Sequence, residues 1–216
     1  MAVEAVVFDL GETLVDETCI WGPWADWLGV PRFTFFGVLG GVIARGEEHS
    51  RVFECIRPGF DRAAERDARK SAGQVETFSI DDFYPDAVPC LRTLKAAGLR
   101  LGIVGNQPSW AVPVLQNLNL DVDMIGSSES WGVSKPNSEF FARISQELDL
   151  PPGAIAYVGD RIDNDVTPAA AAGMTAVFLK RGPWGYLQAG LLPLPPAAIS
   201  IDSLTDLPQA LGLNRA

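Results

Sequence analysis

Acidic residues and one lysine occur in four polar segments that adjoin apolar runs. The segments are FDLGETLVD with Asp9, GIVGNQPS with Gly105 and Asn106, GVSKPNSEFF with Lys135, and VGDRIDNDV with Asp160 and Asp165. A carboxylate can attack an electrophile and form a covalent intermediate, and carboxylate oxygens suit a hard cation such as Mg²⁺. A lysine adds a compact positive charge. These residue types favour metal-assisted chemistry on an anionic group.

Six short apolar runs predict buried β-strands that position these segments. The runs are AVVFDL near the start and residues 99–105, 123–128, 154–159, 175–180 and 197–201. Helical patterns cover 86–97, 138–148 with Ser138 as its N-terminal cap, and 165–174. This alternation predicts an α/β fold with a doubly wound parallel sheet. Ligands of such sheets bind at the carboxyl ends of strands, where Asp9, Asn106 and Asp160 fall.

The region from about Thr18 to Phe83 lacks this alternation and has helical spacing instead. We interpret it as a helical domain, 18–84, inserted into a core domain of residues 1–17 and 85–216. Its aromatic residues favour the core of a small helical domain, and a substrate pocket is the alternative. These aromatic residues are Trp21, Trp24, Trp27, Phe33, Phe35 and Phe36. Arg32 and Arg45 are candidates for contacting an anionic substrate, and the sole histidine, His49, is interpreted as a solvated residue.

Composition excludes several classes of protein. A net charge of -10 and a pI near 4.5 argue against nucleic acid as a partner, because no basic stripe is present to displace counterions. Three scattered cysteines predict reduced thiols rather than a zinc site or disulfides. No apolar run reaches the roughly 20 residues that span a bilayer, and no basic leader precedes Asp9. We therefore expect a cytoplasmic protein without a membrane partner; the sequence leaves the oligomeric state open.

In their order and spacing, the four segments resemble the four motifs of the haloacid dehalogenase superfamily. The resemblance covers nearly the whole chain, and the GDxxxxD spacing of Asp160 and Asp165 is its most specific signal. It implies a Rossmann-like core with a helical cap domain. By this resemblance Asp9 is the nucleophile, and Mg²⁺ is held by Asp9, the Gly11 carbonyl and Asp160, with Asp165 as a direct or water-mediated ligand. Lys135 neutralises Asp9 and the phosphoryl oxygens, which also contact Asn106 and the backbone N–H at Gly105.

Two positions depart from the family pattern. Gly11 stands where most phosphatases of the family have a second aspartate that acts as general acid and base, a function typically worth about 10²–10⁴-fold in rate. Glu12 is a candidate replacement, although its place in the turn favours a hinge role. Gly105 stands where the family usually has Ser or Thr, so a hydroxyl donor is lost. Both departures predict slower turnover.

We therefore expect a Mg²⁺-dependent phosphatase that acts on a small phosphorylated metabolite through an aspartyl phosphate. A binding or regulatory protein that keeps the fold without turnover is the main alternative. A haloacid dehalogenase needs no metal, so Asp160 and Asp165 disfavour it. A phosphonate-cleaving enzyme needs a lysine in the cap, and the inserted region has only Lys70, in a charged run typical of a solvated helix face.

Overall fold

The computed structural model describes residues 2–213, and within them the chain forms two compact units. One unit contains the chain up to Asp16 and from Ser79 onward, and the other contains Glu17–Phe78. The strands are β1 (Ala5–Phe8), β2 (Arg100–Gly105), β3 (Met124–Ser127), β4 (Ile155–Gly159), β5 (Thr175–Leu179) and β6 (Ile199–Ile201). The helices are α1 (Thr18–Leu28), α2 (Arg32–Ala44), α3 (Arg51–Ile56), α4 (Arg62–Ser71), α5 (Ala87–Ala96), α6 (Ala111–Asn117), α7 (Ser128–Trp131), α8 (Ser138–Leu148), α9 (Thr167–Ala171), α10 (Gly182–Gln188) and α11 (Leu207–Ala210).

The larger unit is built on one six-stranded sheet in the order β3-β2-β1-β4-β5-β6. Every neighbouring pair is parallel. The side chains of β1 are fully buried, as expected for a parallel strand covered on both faces. The predicted α/β fold class is therefore confirmed, and all six predicted strands are present. The parallel pairing brings the carboxyl ends of β1, β2 and β4 to one edge of the sheet.

Helix α8 shows how local sequence fixes an element of this unit. Its Phe141 and Ile144 pack into the core beside Tyr157 of β4. The helix spans the predicted residues, but its cap is Asn137 rather than Ser138, because the Asn137 side chain accepts a hydrogen bond from the N–H of Glu139 (2.9 Å). The prediction of Ser138 as the cap was wrong by one residue.

The smaller unit consists of helices α1–α4 around an aromatic core. Trp24, Phe35 and Phe53 are almost fully buried, and the Trp24 and Phe53 rings meet edge to face with centroids 5.0 Å apart. Phe33 is the exception, with 92% of its surface exposed. Of the six predicted aromatic residues, Trp21, Trp24 and Phe35 thus form the interior of this unit, and Trp27 and Phe36 are partly buried. Among the other residues predicted there, Arg32 pairs with Asp26, Arg45 with Glu47, His49 lies against Trp21, and Lys70 is exposed.

The return segment 79–84, which the sequence interpretation gave to the inserted domain, lies in the α/β unit. Phe83 forms a bridge with Val15, the N–H of Asp16 donates to the carbonyl of Asp82 (2.9 Å), and the N–H of Tyr84 donates to Leu14 (2.9 Å). These contacts attach the segment to the loop that follows β1.

Taken singly, no helix within residues 2–213 has the length and apolar character needed to cross a membrane. Helices α1 and α2 meet the length and composition criteria only as a pair, and the pair is bent by 114°.

Candidate active site

Asp9 follows the carboxyl end of β1, and a backbone hydrogen bond to the neighbouring strand fixes its position. Its N–H donates to the carbonyl of Val158 in β4 (2.9 Å), and only 7% of the residue surface is exposed. The apolar residues of β1 that precede Asp9 are buried, so Asp9 is the first polar side chain after the strand and lies at the edge of the sheet. The carboxylate is therefore held in a sheltered position, as an aspartate nucleophile requires.

Lys135 joins Asp9 to Asp165. Its Nζ lies 2.9 Å from Asp9 Oδ1 and 2.6 Å from Asp165 Oδ1. The Tyr157 ring lies beneath the ammonium group, with 5.5 Å from Nζ to the ring centroid. Burial alone would lower the pKa of Lys135, but the charges of Asp165 and Asp9 outweigh it and raise that pKa well above its usual value. The lysine therefore stays cationic beside the Asp9 carboxylate.

Asn106, which follows β2, makes two hydrogen bonds to the backbone of Lys135. Its Oδ1 accepts from the Lys135 N–H (2.8 Å), and its Nδ2 donates to the Lys135 carbonyl (3.0 Å). The carboxamide therefore fixes the segment that carries the lysine, a role that the sequence reasoning missed. One amide hydrogen remains for a substrate oxygen, so contact between Asn106 and phosphate stays a prediction.

Three carboxylates form a buried acidic cluster at this edge. Asp9, Asp160 and Asp165 each offer a ligand oxygen, and these atoms lie within 4.8 Å of one another. Asp160 Oδ2 is buried without a hydrogen-bond partner among the described residues. Burial, followed by the charges of Asp165 and Asp9, raises the pKa of Asp160 well above its usual range. A hard divalent cation fits this donor set, because it would coordinate the unpartnered oxygen and offset the repulsion.

Asp165 is the most constrained member of the cluster. Its Oδ1 accepts from Lys135 Nζ (2.6 Å), and its Oδ2 accepts from the N–H of Arg161 (3.0 Å). Burial raises its pKa to about 6, although Lys135 opposes the shift. The loop that carries it closes in a single π-helical turn, Ile162–Val166, and a Cβ on Gly159 would lie 2.4 Å from its Cγ. Each oxygen accepts one of these bonds and keeps a second lone pair, so both ligand roles predicted for Asp165, direct and water-mediated, stay predictions.

In the loop after Asp9, the left-handed backbone conformation falls on Glu12 and not on Gly11. Gly11 pairs with Val15 in a short bridge, and its φ lies outside the left-handed region. Glu12 instead takes the left-handed conformation, with φ of 54°. Its carboxylate is buried and accepts a hydrogen bond from the Tyr84 hydroxyl (2.8 Å). A carboxylate fixed in this way does not fit the hinge role expected for Glu12.

Gly105 lies against the Asp9 carboxylate. A Cβ at this position would stand 2.0 Å from Asp9 Oδ1, which is closer than any real contact. The absence of a side chain is therefore what lets the carboxylate lean toward β2. The backbone of Gly105 remains beside Asp9, as the predicted phosphate-binding role requires.

Gly105→Ser, which would restore the hydroxyl usual in the family, should lower kcat/KM by about 10- to 100-fold, because misplacing a reacting group by about 1 Å has an effect of that size. Steady-state kinetics with a fixed phosphate ester would measure it. Gly190→Ser is the matched control, since a Cβ there meets nothing within 4 Å. Equal or higher activity in Gly105→Ser would contradict this prediction, because it would mean that the Asp9 carboxylate can move away from the new side chain and still react.

A polar cluster beside this loop was not found by sequence reasoning. The Arg181 guanidinium lies over the Tyr84 ring, 4.2 Å from its centroid, donates to the Thr13 carbonyl (2.9 Å), and pairs with Asp86. Burial, and then the charge of Glu12, raises the pKa of Tyr84, so the phenol stays neutral and donates. One signal was available in the sequence: Arg181 follows the carboxyl end of β5, the edge where the other site residues lie.

At one edge of the parallel sheet, the Asp9 carboxylate, Lys135 and a cluster of buried acidic side chains thus lie together. The family model for haloacid dehalogenase-like hydrolases matches residues 3–173. That range is more than half of the chain, and the chain belongs to this family. The resemblance drawn from the four segments is confirmed.

Two curated relatives and one solved structure illustrate the family. Glyceraldehyde 3-phosphate phosphatase from Methanopyrus kandleri is 31% identical over 149 residues, which is 66% of this chain and 64% of that protein. Phosphoglycolate phosphatase from Salmonella typhi is 31% identical over 133 residues, 60% of this chain and 51% of that protein. The chain therefore spans less than two thirds of the length of either relative. An HAD phosphatase from Thermococcus onnurineus, 22% identical, has the same fold with a TM-score of 0.60, covering 99% of this chain and 100% of that one.

Proposed function

We propose that the protein is a Mg²⁺-dependent phosphatase that acts on a small phosphorylated metabolite through an aspartyl-phosphate intermediate. The observation that carries the proposal is the contact between the Asp9 carboxylate and Lys135 Nζ (2.9 Å) beside a cluster of buried acidic residues. A nucleophile, a fixed positive charge and a cation-binding donor set are the parts that this reaction needs. The helical unit is proposed to be the cap domain of the family.

In the first step an Asp9 carboxylate oxygen bonds to phosphorus, and the bond from phosphorus to the leaving oxygen breaks. In the second step the oxygen of a water molecule bonds to phosphorus, and the bond to Asp9 breaks, which releases inorganic phosphate and regenerates the carboxylate. Lys135 neutralises charge on the phosphoryl oxygens throughout. Mg²⁺ held by Asp9, the Gly11 carbonyl and Asp160, with Asp165 assisting, would supply the remaining positive charge.

The substrate class follows from charge and from the relatives. The two relatives described above are named for glyceraldehyde 3-phosphate and phosphoglycolate, which are small molecules with one phosphate group. We extend this class, and not either substrate, to the present chain. Because Gly11 has no side chain to protonate a leaving group, we favour activated phosphates, such as acyl phosphates, over alkyl esters.

One observation supports a second candidate, a binding or regulatory protein without turnover. Gly11 removes the acid and base expected in this loop, and the Glu12 carboxylate is already bonded to Tyr84. The retained set of Asp9, Lys135 and Asp160 argues for catalysis, because a protein that only binds has no chemical need of a nucleophile held by lysine. The unpartnered Asp160 oxygen also disfavours a metal-free dehalogenase.

A screen of phosphorylated metabolites with and without Mg²⁺ tests the proposal. We expect phosphate release that depends on Mg²⁺ in the wild type and is lost in Asp160→Asn, which removes charge while keeping shape. Asp163→Asn is the control, because it removes a charge from an exposed carboxylate in the same loop, paired with Arg161. Metal-independent release, or no release from any acyl or ester phosphate, would contradict the proposal.

A further inference from the structure

Glu12 is held in a cradle built from separate parts of the α/β unit. Its φ of 54° is one that L-residues adopt at a cost, and only 7% of its surface is exposed. The Tyr84 hydroxyl donates to its Oε2 (2.8 Å). Gly182 makes room for the carboxylate, because a Cβ there would lie 2.4 Å from the same oxygen. Several residues thus combine to fix one buried carboxylate.

Arg181 anchors this cradle. Its guanidinium covers the Tyr84 ring and donates to the carbonyl of Thr13, the residue after Glu12. The same guanidinium pairs with Asp86, whose Oδ2 also accepts from the Ser203 hydroxyl (2.8 Å). Arg181 thus contacts both Tyr84, which donates to Glu12, and the backbone of the loop that carries Glu12. The Glu12 carboxylate therefore has little freedom to move.

The carboxylates of Asp9 and Glu12 lean in opposite directions along the sheet edge. Asp9 Oδ1 leans onto Gly105 of β2, whereas Glu12 packs on Gly182, which follows β5. The sheet order puts β1 and β4 between these strands, with neighbouring strands about 4.8 Å apart. Glu12 therefore lies toward β4, whose carboxyl end is followed by Asp160, whereas Asp9 leans toward β2. That placement suits a charge acting on the acidic cluster better than a proton donor.

We propose that Glu12 is a positioning residue for the cation site: a fixed negative charge beside the proposed ligands, which are Asp9, the Gly11 carbonyl and Asp160 with Asp165 assisting, that strengthens binding of a divalent cation. This inference rests on the proposed Mg²⁺ site. A carboxylate near a partly buried divalent ion interacts with it appreciably, because the Coulomb energy scales with both charges and is weakly screened there.

The test measures cation binding without substrate or turnover. Mg²⁺ affinity is measured by calorimetry, and Mn²⁺ affinity by electron paramagnetic resonance, on metal-free protein. Glu12→Gln, which keeps size and removes charge, should weaken both affinities about tenfold, a typical loss for groups that support metal ligands. Glu12→Gly suits the left-handed backbone and should weaken them equally. Glu4→Gln, at the opposite end of β1, is the matched control and should bind as the wild type does.

The outcomes separate this inference from the function on which it rests. Wild-type affinity in both Glu12→Gln and Glu12→Gly, with binding lost in Asp160→Asn, would overturn the role of Glu12 and leave the cation site standing. A wild-type protein that binds neither Mg²⁺ nor Mn²⁺ would overturn both. Weaker binding in the two Glu12 variants with an unchanged Glu4→Gln would support the inference.

Discussion

Asp9→Asn should lower kcat by about 10⁴-fold or more, because removing a nucleophile abolishes the covalent route and leaves only weak background catalysis. The side chain keeps its size, so the packing against Gly105 is retained. Steady-state kinetics with an activated phosphate would measure the loss. Acid-quenched wild-type enzyme should carry a phosphoryl group on Asp9, detectable by mass spectrometry of the peptide and absent from the variant.

Asp149→Asn provides the control for this comparison. It makes the same chemical change at an exposed position after α8, where asparagine tolerates the left-handed φ of 47°. Thermal denaturation of all three proteins would verify folding. Retention of more than about a tenth of the activity in Asp9→Asn, a loss of less than about 1.4 kcal/mol in transition-state stabilisation, would rule out Asp9 as the nucleophile.

The sequence was most informative where chemistry coincides with regular structure. Asp9, Asn106 and Asp160 follow apolar runs, and parallel pairing of β1, β2 and β4 necessarily gathers their ends. The helix predicted after Lys135 indicated that the lysine lies at the start of a helix, and in the structure its Nζ contacts the Asp9 carboxylate. Fold class and the location of the polar edge were therefore predictable from periodicity, because buried parallel strands tolerate few other patterns.

The details that decide reactivity depend on contacts between residues far apart in the chain, and no local pattern encodes them. Tyr84 and Glu12 are 72 positions apart, and Arg181 and Asp86 are 95 apart. The hydrogen bonds between Asn106 and the Lys135 backbone also join residues that are far apart in the chain. Sequence reasoning assigned a chemical role to Asn106 from its residue type, whereas the fold uses most of its hydrogen-bonding capacity for positioning.

The two glycines that depart from the family pattern have different physical meanings. At Gly105 the space for a side chain is filled by Asp9, so that glycine is part of how the proposed nucleophile is placed. Gly11 has a backbone that accepts other residues, since the left-handed position belongs to Glu12. The first departure is built into the site, and the second is a missing proton donor. Only the second should be repairable by substitution.

Without a proton donor at Gly11, the first chemical step should depend steeply on the pKa of the leaving group. Acyl phosphates and nitrophenyl phosphate leave as stabilised anions and should turn over much faster than sugar or alkyl phosphates. The measurement is kcat/KM across esters of graded leaving-group pKa. A flat profile in the wild type would mean that another residue supplies the proton.

Gly11→Asp should raise turnover of alkyl esters selectively, by up to about 10²-fold, since general acid catalysis is worth most where the leaving group is poor. The backbone conformation of Gly11 permits the change, and a melting curve would check folding.

Glu12→Gln serves as the comparison. If Glu12 acts only through charge, its substitution should lower the rates for all esters together at limiting Mg²⁺ and leave unchanged the slope of kcat/KM against leaving-group pKa. A slope that steepens in Glu12→Gln would identify Glu12 as the proton donor, and Gly11 would then not be the reason for the enzyme's preference among leaving groups.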